Sequence, residues 1–394
     1  MARPCGNPDC GDPVPPGRLL FCSDNCGNRV RLNRYSARKR GIHGPKALAS
    51  LDVPTIRDVL EEGAQAKAPD DFDGMLERVF ERIEALPPPA PLVLVPPMPD
   101  ESLGFGPQDQ VALFSDYHRG MVVDPRETGG IGGYNTDIAR DRLCRWRDKV
   151  IRFRQTYRFE TDTLWVPDLG DDLGGHGKIY PAQAYFLDEH LLEQVTGFVY
   201  DMDAVFRAYA AVYRKVRSIK IRGNHGRLSD KKGERPERDN IETVAWLWLK
   251  DRLKDVENLQ IEIAEGFFAL TEILGHTFYF AHGEDVLPSS PYAQRGGLNT
   301  KLRMNSILGR VINYMCLGHC HYNIEIEREI GGRLITNGSF PGASLLSVKW
   351  LHEANLPMQK LFAVHPKYGI THETQTYLAT PEEVRDVPVY GGAA

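Results

Sequence analysis

The sequence has no long apolar run and few cysteines. Nowhere in its 394 residues is there a run that approaches the roughly 18–20 apolar residues of a membrane-spanning helix, and the amino terminus lacks the apolar core of a signal peptide. Seven cysteines do not make an even set of disulfides, which favours a reducing compartment. We therefore expect a cytoplasmic protein with no membrane partner.

The chain also lacks a strong overall charge. Its net charge of −5, with 26% charged and 42% hydrophobic residues, is ordinary for a globular protein and does not identify a partner. The charge is unevenly distributed, however. Residues 1–43 contain eight lysines and arginines but only three acidic residues, so this segment carries a local excess of five positive charges. No internal repeat is visible.

Four of the seven cysteines lie in this basic segment, in the pattern C-x4-C-x11-C-x3-C. Four thiolates around a tetrahedral Zn²⁺ would stabilise a segment too short to bury a core. The alternative is a set of free thiols in an unstructured arm. The stretch 18–26 resembles small zinc-ribbon or zinc-knuckle modules, which implies one structural Zn²⁺ held by Cys5, Cys10, Cys22 and Cys26.

A basic helix is expected after the second cysteine pair. Its positive residues suit contact with the phosphate backbone of a nucleic acid, although a solvated basic face explains them equally well. Helical periodicity follows, and then a proline-rich stretch from Pro87 to Pro97 that is typical of a semi-rigid spacer. The predicted parts are a zinc-binding basic module (1–43), a helical segment with a linker (44–100), a catalytic domain (101–380) and a tail (381–394).

Five apolar segments in the catalytic domain each end in Asp, Asn or His beside a glycine or serine. The segments predict buried strands, and ligands gather where strands of an α/β sheet end. Taken singly, each cluster is also explained as a capped loop. The clusters are Ser115-Asp116-Tyr117-His118, Gly170-Asp171-Asp172, Gly223-Asn224-His225-Gly226, His282-Gly283-Glu284 and Gly318-His319-Cys320-His321.

The second strand leaves its register open. Pro167 and Asp168 interrupt it, so either Asp168 or Asp171 can be the carboxylate of the loop. Gly170 gives the backbone before Asp171 the freedom that a tight metal loop needs, which favours Asp171.

The order D-x-H, GD, GNH, H and GHxH resembles the calcineurin-like metallophosphoesterase superfamily. The likeness runs from Asp116 to His321 and continues into the turn 336–340, while residues 170–184 are similar to phage-type members described as DNA repair exonuclease-like. The resemblance implies a four-layer α/β/β/α sandwich with two divalent metal ions, for which mixed nitrogen and oxygen ligands suit Mn²⁺, Fe or Zn²⁺ better than Ca²⁺, with Mn²⁺ as the first expectation.

The resemblance also implies roles for these residues. One metal would be held by Asp116, His118, Asp171 and His321, and the other by Asp171, Asn224, His282 and His319. His225 would protonate the leaving group or stabilise its charge, and a hydroxide bridging the two metals would attack the phosphorus. Two positions depart from the family: Gly174 and Gly226 stand where acidic residues are common, and His176 is a possible substitute.

Basic residues beside the centre favour nucleic acid, DNA rather than RNA, as the partner of a nuclease. We expect Arg119, Arg222 and Arg227 to bind substrate, with Lys220, Lys231 and Lys232 nearby. The loop 226–240 is either a wall of the substrate groove or a surface loop. The alternatives are a phosphomonoesterase or phosphoprotein phosphatase with the same centre, and a binding module whose metals are structural.

The zinc assignment predicts that Cys22→Ser removes bound zinc, because three thiolates hold the ion far less well than four. Metal analysis of the purified variant and the parent protein measures this. Unchanged zinc content in the variant would contradict the assignment.

Overall fold

The computed structural model describes residues 106–380 and Glu383, apart from 158–159, 178, 180, 230, 287–292, 330–331, 346 and 352–353. The predicted zinc module, the helical segment and the linker lie outside the described residues, as does almost all of the tail. Among the residues described, no helix combines the length and apolar character that crossing a membrane requires.

The first sheet has six strands in the order β11-β10-β1-β2-β3-β4. Strands β1 to β4 run parallel, β10 is antiparallel to β1, and β11 is antiparallel to β10. The bounds are β1 Asp109–Ala112, β2 Thr163–Asp168, β3 Lys215–Lys220, β4 Leu259–Ile263, β10 Met358–His365 and β11 Gly369–Tyr377.

The second sheet has five strands in the order β5-β6-β7-β9-β8. Its three central strands, β6, β7 and β9, are parallel, and each edge strand is antiparallel to its neighbour. The bounds are β5 Phe268–Ile273, β6 His276–Ala281, β7 Tyr314–Leu317, β8 Glu325–Glu329 and β9 Gly332–Thr336.

Four α-helices and two shorter helical segments complete the described fold. The helices are α1 Thr136–Tyr157, α2 Leu191–Val212, α3 Ile241–Arg252 and α4 Ala293–Leu308, with a 3₁₀ helix at Pro181–Phe186 and a π-helix at Ser347–Leu351.

Three apolar clusters show how these elements are layered. One joins α1, α2 and α3 to the outer face of the first sheet, through residues such as Trp146, Phe198 and Trp246. A second lies between the two sheets and combines side chains such as Ile219 and Phe278. The third packs α4 against the second sheet. Helices, two sheets and a helix therefore form four layers, and the predicted α/β/β/α sandwich is confirmed.

The predicted strand segments agree with the structure except at their ends. The apolar run before Gly318 begins at Val311 in the sequence, but strand β7 begins only at Tyr314. Val311 itself is 64% exposed. Pro167 does lie within β2, although proline is rare in central strands because it has no N–H to donate. Its carbonyl accepts a hydrogen bond from Phe114 N at 3.0 Å, so it still links β2 to the segment after β1.

An aromatic cluster anchors the turn at Phe340 beneath the centre. The ring of Phe340 lies 5.0–6.3 Å from the rings of Phe114, Tyr117 and Trp146. The backbone N–H of Phe340 donates to the carbonyl of Asp116. Packing at Phe340 is therefore tied directly to the first loop of the predicted metal site.

We predict that Phe340→Ala lowers the free energy of unfolding by about 3–5 kcal/mol, because a buried aromatic side chain is replaced by a cavity. Urea denaturation measures this. The matched control is Tyr185→Ala, since Tyr185 is 87% exposed and its loss should change stability by less than about 0.5 kcal/mol. Equal effects of the two substitutions would contradict the packing argument.

Candidate metal centre

The loops after β1, β2, β3, β6 and β7 bring together the side chains that the sequence singles out. Three groups of histidine and aspartate have ligand atoms within 4.8 Å of one another, and each could hold a metal ion. The groups are Asp116, His118 and His321; His118, Asp171 and His225; and Asp171, His282 and His319. Because His118 joins the first group to the second and Asp171 joins the second to the third, the groups form one continuous centre.

The backbone at this centre adopts a conformation that L-residues rarely use. Among the described residues, six that are not glycine have positive φ, and five of the six are predicted metal ligands. Each such residue costs about 1–3 kcal/mol unless its surroundings impose the conformation. The five are Asp116, His118, Asp171, His319 and His321, with φ between 46° and 68°.

The first half of the centre is formed by Asp116, His118 and His321. His321 Nε2 lies 3.4 Å from Asp116 Oδ1 and 2.9 Å from His118 Nε2. His118 Nε2 is also 4.0 Å from Asp171 Oδ2. The carboxylate of Asp116 additionally accepts hydrogen bonds from the backbone N–H of His319, which fixes the loop after β7 against the loop after β1.

The second half is formed by Asp171, Asn224, His282 and His319. His282 Nε2 lies 3.2 Å from Asp171 Oδ2, 2.7 Å from Asn224 Oδ1 and 3.2 Å from His319 Nδ1. The other ring nitrogen of His282 is held by the carbonyl of Leu169 at 2.7 Å. Its Nε2 therefore faces the other three donors.

Burial and charge show that this donor set fits divalent cations. Asp116 and Asp171 are at most 1% exposed, and their ion-pair partners in the described part of the chain are histidines. Buried carboxylates without a lysine or arginine are costly unless another cation compensates them. Carboxylate, amide and imidazole donors together suit Mn²⁺, Fe or Zn²⁺.

Burial and neighbouring charges shift the pKa values of Asp171, His282 and His319. Burial alone would raise the pKa of Asp171, but His282 and His225 hold that pKa well below its usual value. Burial likewise opposes the charged form of His282, yet Asp171 raises the pKa of His282 to about 9. Burial and the neighbouring His282 lower the pKa of His319 to about 4. Asp171 and His282 thus stabilise each other's charged form, and a cation held by these side chains would compete with the His282 proton.

His225 lies at the edge of the centre, and a residue that the sequence did not single out contacts it. Nδ1 of His225 is 3.0 Å from Gln183 Nε2 and 3.2 Å from the carbonyl of Gly174. Its Nε2 faces Asp171 Oδ2 at 3.8 Å. Gln183 lies on the 3₁₀ helix, 42 residues before His225, and no sequence pattern links the two.

The two glycines that depart from the family pattern are explained by close contacts. A Cβ atom at Gly226 would lie 2.2 Å from Asn240 Oδ1, and one at Gly174 would lie 3.0–3.1 Å from Leu187 and from the backbone of Arg119. A side chain at either position would push these neighbours away. The space that an acidic residue would need is therefore occupied.

The turn 336–340 supports the loop after β1. The Asn337 side chain donates to Ser115 Oγ at 2.9 Å and to Gln359 Oε1 at 2.6 Å. Gln359 in turn accepts from the backbone N–H of Ser115 at 3.0 Å. These residues are fully buried, so Asp116 is positioned by a network of hydrogen bonds.

Of the two carboxylates left open in β2, the structure brings Asp171 into the metal groups. Asp168 lies at the end of β2, accepts from Lys220 Nζ at 2.9 Å and belongs to none of these groups. Asp171 follows the left-handed Gly170 and lies within the centre.

Several basic residues expected at the substrate are instead part of the fold. Arg119 is 6% exposed and is paired with Glu189 and Asp201. Lys220 is fully buried among carboxylates. Arg222, 8% exposed, donates to Thr243 and to the carbonyl of Ala264. The structure thus places Arg119, Lys220 and Arg222 in ion pairs and hydrogen bonds of the fold, and sequence position alone does not reveal such buried partners.

Arg227 remains beside the centre, but it too is paired. Both of its terminal nitrogens donate to Glu284, at 3.0 and 3.1 Å. The pair lines a cavity of about 30 Å³ that also contacts Asn224, His282 and Phe267. That volume holds about one water molecule, so the cavity is a niche at the metal groups and not a deep substrate pocket.

Comparisons with known proteins give a likeness to solved structures only. No family model matches the chain, and no curated protein matches it. Vps29 of Entamoeba histolytica, crystallised with zinc, is similar at 12% identity over 68% of this chain and 99% of that chain, with a TM-score of 0.30. A dimetal phosphatase of Danio rerio is similar at 12% identity over 69% and 99%, with a TM-score of 0.32. A hypothetical protein of Pyrococcus horikoshii OT3 is similar at 12% over 70% and 90%, with a TM-score of 0.34. Likenesses this low establish no activity.

Proposed function

We propose that the protein is a metal-dependent phosphodiesterase that hydrolyses nucleic acid, DNA rather than RNA. The observation that carries the proposal is the set of two buried carboxylates, four buried or partly buried histidines and one buried asparagine at the strand ends, whose carboxylates have no lysine or arginine counter-ion among the described residues. We assign Asp116, His118, Asp171 and His321 to one cation and Asp171, Asn224, His282 and His319 to the other.

When bound, two divalent cations, with Mn²⁺ as the first choice, would supply a nucleophile from water at neutral pH and offset the charge of the attacked phosphoryl group. The residues of the protein orient the groups that would take part in the reaction. Asp171 lies between the two halves of the centre and orients His225 by accepting its backbone N–H at 2.9 Å. Gln183 and Gly174 hold Nδ1 of the His225 ring, which leaves Nε2 facing the centre to protonate the leaving oxygen.

The charges around the centre favour a diester over a monoester. A monoester carries a second negative charge near neutral pH, and its recognition needs further cations. The basic residues that the sequence placed here are all engaged: Arg119, Lys220 and Arg222 are buried, Arg227 is paired with Glu284, and Lys231 and Lys232 are paired with Glu234 and Asp285. The monoanionic diester therefore fits better.

Nucleic acid is the diester that the rest of the chain favours. The amino-terminal segment combines a predicted zinc module with an excess of positive charge, and such charge is suited to a phosphate backbone. The cavity at Arg227 and His282 is small, which suits a substrate that passes over the surface. A phosphomonoesterase that uses the same residues is the second candidate, and the first experiment below separates the two.

We predict that the full chain loaded with Mn²⁺ hydrolyses bis(p-nitrophenyl) phosphate faster than p-nitrophenyl phosphate and cleaves DNA oligonucleotides. Asp171→Ala should reduce all hydrolysis to the background rate, because both halves of the centre lose a ligand. Asp251→Ala is the matched control, since its side chain is 70% exposed, and it should keep full activity. A preference for the monoester would replace the proposal with the phosphomonoesterase.

The role of His225 predicts an effect that depends on the leaving group. His225→Ala should slow the cleavage of an oligonucleotide, whose leaving alkoxide needs a proton, by roughly 10²–10⁴-fold. The p-nitrophenyl ester of thymidine 5′-phosphate should be affected far less, because p-nitrophenolate leaves without a proton. Steady-state kcat values for the two substrates measure the difference, and equal losses on both would show that His225 is not the acid.

A further inference from the structure

A fully buried ion cluster lies directly behind the candidate metal centre. Lys220, the last residue of β3, places Nζ 2.9 Å from Asp168 Oδ1, 2.5 Å from Asp172 Oδ2 and 2.8 Å from Glu242 Oε2. All four side chains are 0% exposed. The Trp246 indole N–H also donates to Asp172 Oδ2 at 2.8 Å. From the sequence, Asp168 was an alternative loop carboxylate and Lys220 a cation near the substrate, but Glu242 was assigned no role.

Glu242 connects this cluster to two metal loops at once. One carboxylate oxygen accepts from the backbone N–H of Asp172 at 3.0 Å, and the other accepts from the backbone N–H of Gly223 at 2.9 Å. Asp172 directly follows Asp171, and Gly223 directly precedes Asn224. A single side chain thus holds the loop after β2 at a set distance from the loop after β3.

The position of Glu242 is itself fixed from two sides. Asn240, the N-cap of α3, accepts from the backbone N–H of Glu242 at 2.9 Å and donates to the carbonyl of Gly223 at 2.8 Å. Lys220 supplies the positive charge that a buried carboxylate needs. The first turn of α3 and the end of β3 are rigid elements, so the bridge between the loops is rigid as well.

The loop after β3 packs so closely against Asp171 and Glu242 that two of its positions have no room for a side chain. A Cβ atom at Gly223 would lie 2.0 Å from Asp171 Oδ1, and one at Gly226 would lie 2.8 Å from Glu242 Cγ. Glycine at both positions allows the loop after β3 to lie against Asp171 on one side and against Glu242 on the other. The separation of Asp171 and Asn224 therefore depends on where Glu242 holds these backbones.

We propose that Glu242, with Lys220 as its counter-ion, is a positioning residue that sets the spacing of the Asp171 and Asn224 loops and thereby the affinity of the cation site they share. This inference rests on the metal centre of the proposed function. It adds a residue that is not itself an assigned ligand and that acts through two backbone N–H groups. Outer hydrogen bonds of this kind typically change metal affinity by about 10–100-fold.

The test is the affinity of the full chain for Mn²⁺, measured by isothermal titration calorimetry without substrate. Glu242→Gln replaces one accepting oxygen with an N–H₂ group that faces a backbone donor, and it should weaken Mn²⁺ binding by about 10–100-fold. Glu242→Asp is the second variant. It keeps the charge beside Lys220 but is one methylene too short to reach both loops, so it should also weaken binding.

The matched control is Lys360→Met. Lys360 is another buried lysine, 3% exposed and paired with Glu325 and Glu373, and its replacement should lower stability while Mn²⁺ affinity stays the same. Parent-like Mn²⁺ affinity in folded Glu242→Asp or Glu242→Gln would overturn the proposal, and so would an equal loss in Lys360→Met. Failure of the parent chain itself to bind Mn²⁺ would refute the metal centre and is distinguishable from both.

Discussion

The structure depends on two carboxylates, Asp116 and Asp171, that are buried without a lysine or arginine among the described residues. Each is carried by a left-handed residue at the end of a strand, and three histidines of the centre share that backbone conformation. Strained backbone and buried charge both raise the energy of the folded chain. They persist here because the three apolar clusters of the sandwich hold the strand ends in place.

Two neighbouring aspartates, Asp171 and Asp172, have different kinds of charged partner. Asp172 faces Lys220 and Trp246, which neutralise and hydrogen-bond its carboxylate. Asp171, one residue earlier, faces only histidines among its described charged partners. The same short loop therefore separates a carboxylate that is paired with a buried lysine from one whose charged partners are histidines, which are common metal ligands. This contrast is why cations, and not structural ion pairs, are the best explanation of the centre.

Much of the centre was predictable from the sequence because its signals are local. An apolar segment followed by a glycine and a polar ligand marks a strand end, and the segments before Asp116, Asn224 and His282 agree with β1, β3 and β6 apart from their ends. Order along the sheets was not predictable in this way. It came from family resemblance, since the pairing of β1 with β10 joins residues about 250 positions apart.

The surroundings of the basic residues were not predictable, because charge in a sequence does not reveal burial. Arg119 directly follows His118, and its position in the sequence suggests a substrate contact. Its partners in the structure, Glu189 and Asp201, lie 70 and 82 residues later in the chain. The role of Glu242 could not be predicted either. Its contacts are backbone groups on two loops that meet only in the folded chain.

This difference between local and distant signals also bears on the substrate. The ligands are recognisable from short motifs, and they specify the chemistry of the centre. Selectivity between a diester and a monoester depends on the cations that remain unpaired around it. Arg119, Lys220 and Arg222 are engaged within the fold and Arg227 is paired with Glu284, so the positive charge offered to a substrate at the proposed centre would come mainly from its metals. This is the physical basis on which we propose a phosphate with one negative charge as the substrate rather than one with two.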